Sequence, residues 1–133
     1  MKDLLLATLL MLAMGCTTSS QNKSPELMSD LASQLKDITT AIDGTLKFSD
    51  TKFESTDALL MASINNDLSK LAPFKGYTLI IDVQKNNVVL LLCDKNSALI
   101  EDVGCTAQSD IQHWQAKKAQ KCDVTVNAQQ FCN

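Results

Sequence analysis

The chain predicts an α+β domain: a small, mostly antiparallel sheet packed by two amphipathic helices, with a disulfide-braced C-terminal part. Three observations carry that prediction. Apolar residues recur twice at helical spacing within residues 25–73, the pattern turns to that of strands after Gly76, and four cysteines fall in the last third of a chain of 133 residues. Helices first and strands afterwards give separate layers rather than a wound parallel sheet.

The first helix is expected near 25–43. Ser24 can accept from a free amide, Pro25 suits the first helical position, and Glu26 sits favourably at the positive end of the dipole. Leu27, Leu31, Leu35, Ile38 and Ile42 then form one apolar stripe, and Gly44 reads as the C-terminal stop. Its opposite face carries Asp30, Lys36 and Asp37, so the stripe belongs to a domain core and not to an anionic lipid surface. Thr45–Phe48 reads as a short strand. A second helix starts at a Ser55 or Thr56 cap, shows Leu60, Ile64, Leu68 and Leu71 on one side, and ends at Pro73, which drives the residue before it out of helical geometry.

Tyr77–Gln84 is rich in β-branched and apolar residues, and Lys85-Asn86-Asn87 is a turn in which Asn86-Asn87 can take positive φ. Val88–Cys93 is apolar at every position, which predicts a central strand covered on both faces. Asp94–Ser97 is the next turn, Ala98–Val103 a third strand, residues 106–121 a partly helical excursion, and Cys122–Val126 a last strand.

Cys93, Cys105, Cys122 and Cys132 are separated by eleven, sixteen and nine residues, and the chain has one His. Zinc sites use closely spaced ligand pairs, so these spacings favour two disulfides and no metal. In a hairpin across 94–97, Cys93 lies opposite Ala98. Cys105 is then about 20 Å away along the strand, beyond the ~7 Å that a disulfide spans between Cα atoms. Two patterns survive: the nested pairing Cys105–Cys122 with Cys93–Cys132, which is preferred, and the crossed one.

Lys2, the apolar run Leu4–Leu12, the small residues Ala13 and Gly15, and a break at Cys16 into polar residues have the layout of a secretory signal; the run is too short for a spanning helix. With Cys first after the break, residues 1–16 resemble a bacterial lipoprotein signal, departing from the family pattern only at Ala13, where a branched residue is usual. The resemblance implies cleavage after Gly15, acyl lipid of the palmitate type on Cys16, and, from Thr17, a destination at the outer membrane facing the periplasm. The chain then divides into a signal, 1–15, a lipidated tether, 16–24, and one α+β domain, 25–133. A flexible tether of this length reaches about 16 Å. The oxidising periplasm also suits the disulfides.

A net charge of −3 and twelve basic residues that are all Lys argue against nucleic acid, since Arg supplies the bidentate phosphate grip. No nucleophile elbow, metalloprotease helix or glycine-rich phosphate loop occurs, and Glu101-Asp102 on a strand must point to opposite faces. The expectation is a protein without enzymatic activity or cofactor. His113 and Trp114 are the candidate partner contact; the bland reading has Trp114 plugging the sheet with His113 satisfied at its edge.

The order strand, helix, strand over Leu46–Val83 looks like the opening of an OmpA-like peptidoglycan-binding domain. In its second half that family brings a Thr-Asp motif and a downstream Arg; this chain has Asn86-Asn87 where the motif would begin and no Arg anywhere, so no binding residue is carried over. The functional expectation is an accessory lipoprotein that binds an envelope protein, as part of a secretin, pilus or secretion assembly. The alternative is an inhibitor or immunity protein that plugs a toxin or lysozyme.

Overall fold

The computed structural model describes residues 23–107 and 111–132. The expected signal, the expected lipid site Cys16 and most of the expected tether lie outside the described residues. Helix α1 (Pro25–Phe48) begins where expected, with the Ser24 hydroxyl accepting the Leu27 amide at 3.1 Å. Its buried stripe is Met28, Leu31, Leu35, Ile38 and Ile42; Leu27, placed on that stripe by spacing, is 44% exposed.

The helix runs straight through Gly44 to Phe48, so the stop at Gly44 and the strand Thr45–Phe48 are both corrected. A mid-helix glycine costs only about 1 kcal/mol, and this end is tied down elsewhere. Leu46 packs on the core, and the Ser63 hydroxyl donates to Thr45 Oγ1 at 2.9 Å. With the strand gone, the OmpA-like order over Leu46–Val83 goes too.

The second helix is shorter than its apolar spacing suggested. Helix α2 (Thr56–Ser63) is capped by Ser55 and ends before Asn65 and Asn66, whose φ angles of 56° and 57° are left-handed. Asn tolerates that region better than most residues, so two in succession break the helix. The chain resumes as a 3-10 helix, Leu68–Phe74, which leaves Leu68 65% exposed.

Strands β1 (Thr78–Gln84), β2 (Asn87–Asp94), β3 (Ser97–Val103) and β4 (Ile111–Gln112) form an antiparallel meander in the order β1-β2-β3-β4. Both hairpins close through two residues, Lys85-Asn86 and Lys95-Asn96. Asn87 thus belongs to β2, paired with Gln84, and the left-handed residues are Lys85 and Lys95. Val88, Leu90 and Leu92 turn to α1 and α2, while Val89, Leu91 and Cys93 turn to the other face. Both faces of β2 are covered, which is why its sequence shows no polar side.

The cover on the second face is not a strand. Residues 121–132 form an irregular strap: Lys121 bridges to Ser97, and the segment through Val126 that alternates in sequence has no ladder beyond that bridge. Disulfides Cys93–Cys122 and Cys105–Cys132 pin it, with Cα separations of 5.8 and 5.7 Å. The preferred nested pairing is therefore corrected to the crossed one. The Lys121–Ser97 bridge seats Cys122 at the β2–β3 turn beside Cys93, and the strap then travels to the far end of β3, where Cys132 meets Cys105. Gly104 makes that end of β3 fit under α1. A Cβ there would lie 2.7 Å from Asp43 Cβ and 2.8 Å from the Thr39 carbonyl.

Candidate functional site

Glu101 and Asp102 point to opposite faces of β3, and each organises one of them. Glu101 is 1% exposed beneath the strap. Its Oε1 lies 2.6 Å from His113 Nε2 and accepts the Thr125 hydroxyl at 2.5 Å, while Oε2 accepts the amides of Thr125 at 2.9 Å and Val126 at 3.1 Å. Burial alone would push this carboxyl up. The hydrogen bonds from Thr125 and His113, with the two backbone amides, outweigh it and hold the group below its ordinary value. Gln84 clamps the strap further along: its Nε2 donates to the Val126 carbonyl at 2.9 Å, and its Oε1 accepts the Ala128 amide at 2.7 Å.

On the helix side, Lys36 Nζ pairs with Asp102 and donates to the carbonyls of Val103 at 3.2 Å and Thr106 at 2.8 Å. Asp43 pairs with Lys47 at 2.5 Å. Asp102 Oδ2 and Asp43 Oδ1 are buried and accept no hydrogen bond. Among the described residues no three or more of His, Cys, Asp and Glu gather as a metal-holding group.

His113 and Trp114 act together as a clasp at the β3 edge. The His113 side chain is turned under the strap to Glu101, and Trp114 packs half-buried against the helix-side core. This matches the bland reading of the pair. The chemistry singled out in the sequence is thus spent inside the fold, and the open features lie elsewhere.

One, a groove of about 340 Å³, lies between α1 and the end of α2 by Ile38 and Ile64; the others lie along β1. It is the free edge of the sheet, seven residues long, whereas the opposite edge strand β4 has two. Two apolar grooves flank it on the helix side. One of about 540 Å³ lies by Val83, lined by Leu46, Phe53 and Leu59 with Lys52 on its wall. Another of about 430 Å³ lies by Leu79 and Tyr77, lined by Leu60, Leu68 and Leu71 with Lys75 beside them. Phe48, at the end of α1, is 88% exposed.

The described chain enters α1 from the Tyr77 end of this edge. Lys23 Nζ lies 2.7 Å from Asp94 and 4.9 Å from the centre of the Tyr77 ring, an ion pair with a cation–π contact. Sequence reasoning missed the grooves because they are gaps between elements: one lies among the end of α1, the start of α2 and β1, the other between the 3-10 helix and β1. Only the second follows the break after α2, whose signal was Asn65-Asn66. Among the described residues no helix is long and apolar enough to cross a membrane. No protein-family model matches this chain, and no curated protein or solved structure matches it.

Proposed function

We propose that the protein is a lipid-anchored binding module. Cys16 holds it at the outer membrane, facing the periplasm, where it engages a protein of an envelope assembly such as a secretin, pilus or secretion component. The observation that carries this reading is the long apolar edge of β1, with its two grooves, beginning beside the point where the tether joins the domain. Lipid attachment at Cys16 would confine that edge to a thin layer above the membrane and raise its effective concentration for a membrane-bound partner. Stable attachment needs more than one acyl chain, which the lipoprotein resemblance supplies.

The test compares the intact lipoprotein with a Cys16-less version exported by an ordinary secretory signal. Mass spectrometry should find an acylated N-terminal Cys16 in the first. Both should form two disulfides, and cross-linking of whole envelopes should capture one reproducible partner with the intact protein. The soluble version should assemble that partner at least about 100-fold less well, the lower end of tethering gains. An unmodified mature terminus elsewhere, or full function of the soluble version, would overturn the reading. Full function against a toxin or lysozyme would replace it with inhibition.

A further inference from the structure

We infer that the free edge of β1 accepts an extended segment of the partner as an added strand, and that this segment is apolar at alternate positions with acidic residues at its ends. The inference rests on the binding reading above and names the chemistry of what is bound. The two-residue loop Lys85-Asn86 makes Gln84–Asn87 the hydrogen-bonded closing pair of the β1–β2 hairpin. Alternation along the ladder then turns the N–H and C=O groups of Leu79, Ile81 and Val83 outward. None of these groups takes part in a backbone bond outside the β1–β2 ladder among the described residues. Such an edge is complementary to one kind of ligand, another extended backbone.

Side-chain spacing sets the rest. The grooves sit beside Leu79 and Val83, four residues or about 13 Å apart along the strand. Residues i and i+4 of an added strand, on its helix-facing side, would reach one groove each, with i+2 over Ile81. Exposed Lys75 stands before the strand, Lys85 just after it, and Lys52 on the wall of the far groove, so both ends favour carboxylates. Asp82, the one acidic residue of β1, accepts from Gln84 Nε2 at 2.8 Å. Its neighbour across the ladder is Val89, on the strap side, away from the grooves.

The same charges disfavour a second copy as occupant. Antiparallel pairing of two β1 edges about a two-fold axis would bring Lys52 of one molecule towards Lys75 of the other. Long edges are usually blunted by proline, lysine or a bulge, and β1 carries none of these within Thr78–Gln84.

The experiment uses the full mature lipoprotein in detergent micelles and a labelled synthetic peptide, acetyl-Glu-Glu-Val-Thr-Val-Thr-Val-Glu-Glu-amide. Binding should protect the amides of Leu79, Ile81 and Val83 from exchange, and N-methylation of alternate peptide amides should abolish it. Ile81→Pro removes an outward N–H while sparing the β1–β2 ladder, so affinity should fall at least about tenfold; because Ile81 also packs against the helix-side core its melting temperature should fall, and binding is read well below the transition. As a second variant, Lys52→Glu with Lys75→Glu should weaken binding and reduce its salt dependence. Equal binding of the N-methylated peptide, no binding at about 1 mM, or protection confined to other residues would overturn the inference. A dimer in sedimentation that Ile81→Pro dissolves would also overturn it, in favour of a second copy. The peptide judges the edge, and envelope cross-linking judges the binding reading. An intact partner cross-link that Ile81→Pro leaves unchanged would sink the first and spare the second.

Discussion

The two faces of the sheet are covered by different physics. On one, α1 and α2 lay regular stripes of Leu, Ile and Met on Val88, Leu90 and Leu92, and burial of apolar area does the work. On the other, an irregular strap of twelve residues contributes few large apolar side chains. It is held at both ends by disulfides and between them by the polar clamps Glu101 and Gln84. A helix satisfies its own backbone and needs only an apolar stripe to dock. An irregular segment must find partners for its backbone groups largely outside itself, and here the buried Glu101 of β3 and the half-buried Gln84 of β1 supply four of them. The comparison teaches that covering a sheet with a segment whose only regular element is the short 3-10 turn Ala128–Gln130 takes covalent and polar holdfasts in place of area.

Reducing both disulfides should give the largest effect that separates the faces. Each bridge closes a loop of nearly thirty residues and contributes roughly 2–4 kcal/mol, so the pair approaches the whole stability of a small domain. Hydrogen exchange should show the amides of Val126 and Ala128 exposed first, before those of Leu90 and Leu92. Simultaneous loss of all four would mean that the faces form one cooperative unit.

Leu35→Ala should come next, at about 2–5 kcal/mol, because Leu35 is wholly buried at the middle of the α1 stripe. With the bridges intact, its melting should lower protection on both faces together, since the small clusters beneath the strap are built on β2 and β3, the same strands that α1 covers. Retention of native-like protection in the helices with loss confined to the strap would contradict this.

The smallest and sharpest effect concerns Glu101. Its folded carboxyl titrates below its ordinary value of 4.5, so its contribution is complete well above that pH and drains as pH falls through the folded value. Glu101→Gln keeps the shape but loses the charge-assisted bonds to His113 and Thr125, at a cost of roughly 1–3 kcal/mol near neutral pH. The difference in melting temperature between wild type and variant should shrink as the solution is acidified. A constant difference from pH 7 to about pH 3 would remove Glu101 from its place as the ionised clamp.

The same contrast explains what could be read from the residues alone. Periodic segments were legible: the Ser24 cap, the α1 stripe, both hairpins and the double burial of β2 follow from spacing and turn chemistry. Gly44 misled because a glycine ends a helix only when nothing beyond it docks, and Leu46 docks. The second helix looked longer than it is because apolar spacing continues across Asn65-Asn66, where the backbone turns left-handed. Cys122–Val126 alternates like a strand, yet the amides of Thr125 and Val126 are taken by Glu101, a long-range partner with no local signature. The nested disulfides failed for the same reason, since the strap's direction depends on the Lys121–Ser97 bridge. Of the candidate site, the cysteines and His113-Trp114 stood out in the sequence. The β1 grooves did not, being made from gaps between elements.

The crossed disulfides also bear on how the protein is made. A chain threaded across a membrane N-terminus first delivers its cysteines in order, and among the four described cysteines none is bonded to its immediate successor: Cys93 passes over Cys105 to reach Cys122, and Cys105 passes over Cys122 to reach Cys132. An oxidant acting on each thiol as it emerges would first join Cys93 to Cys105, residues that the finished β2–β3 hairpin holds at opposite ends. That bond would have to be exchanged before the sheet could close, at a rate set by thiolate attack. Were the chain exported to an oxidising compartment as proposed, its biogenesis would be a race between hairpin formation and oxidation, and the slower the oxidant or the better the isomerase, the more of the chain would arrive correctly cross-linked.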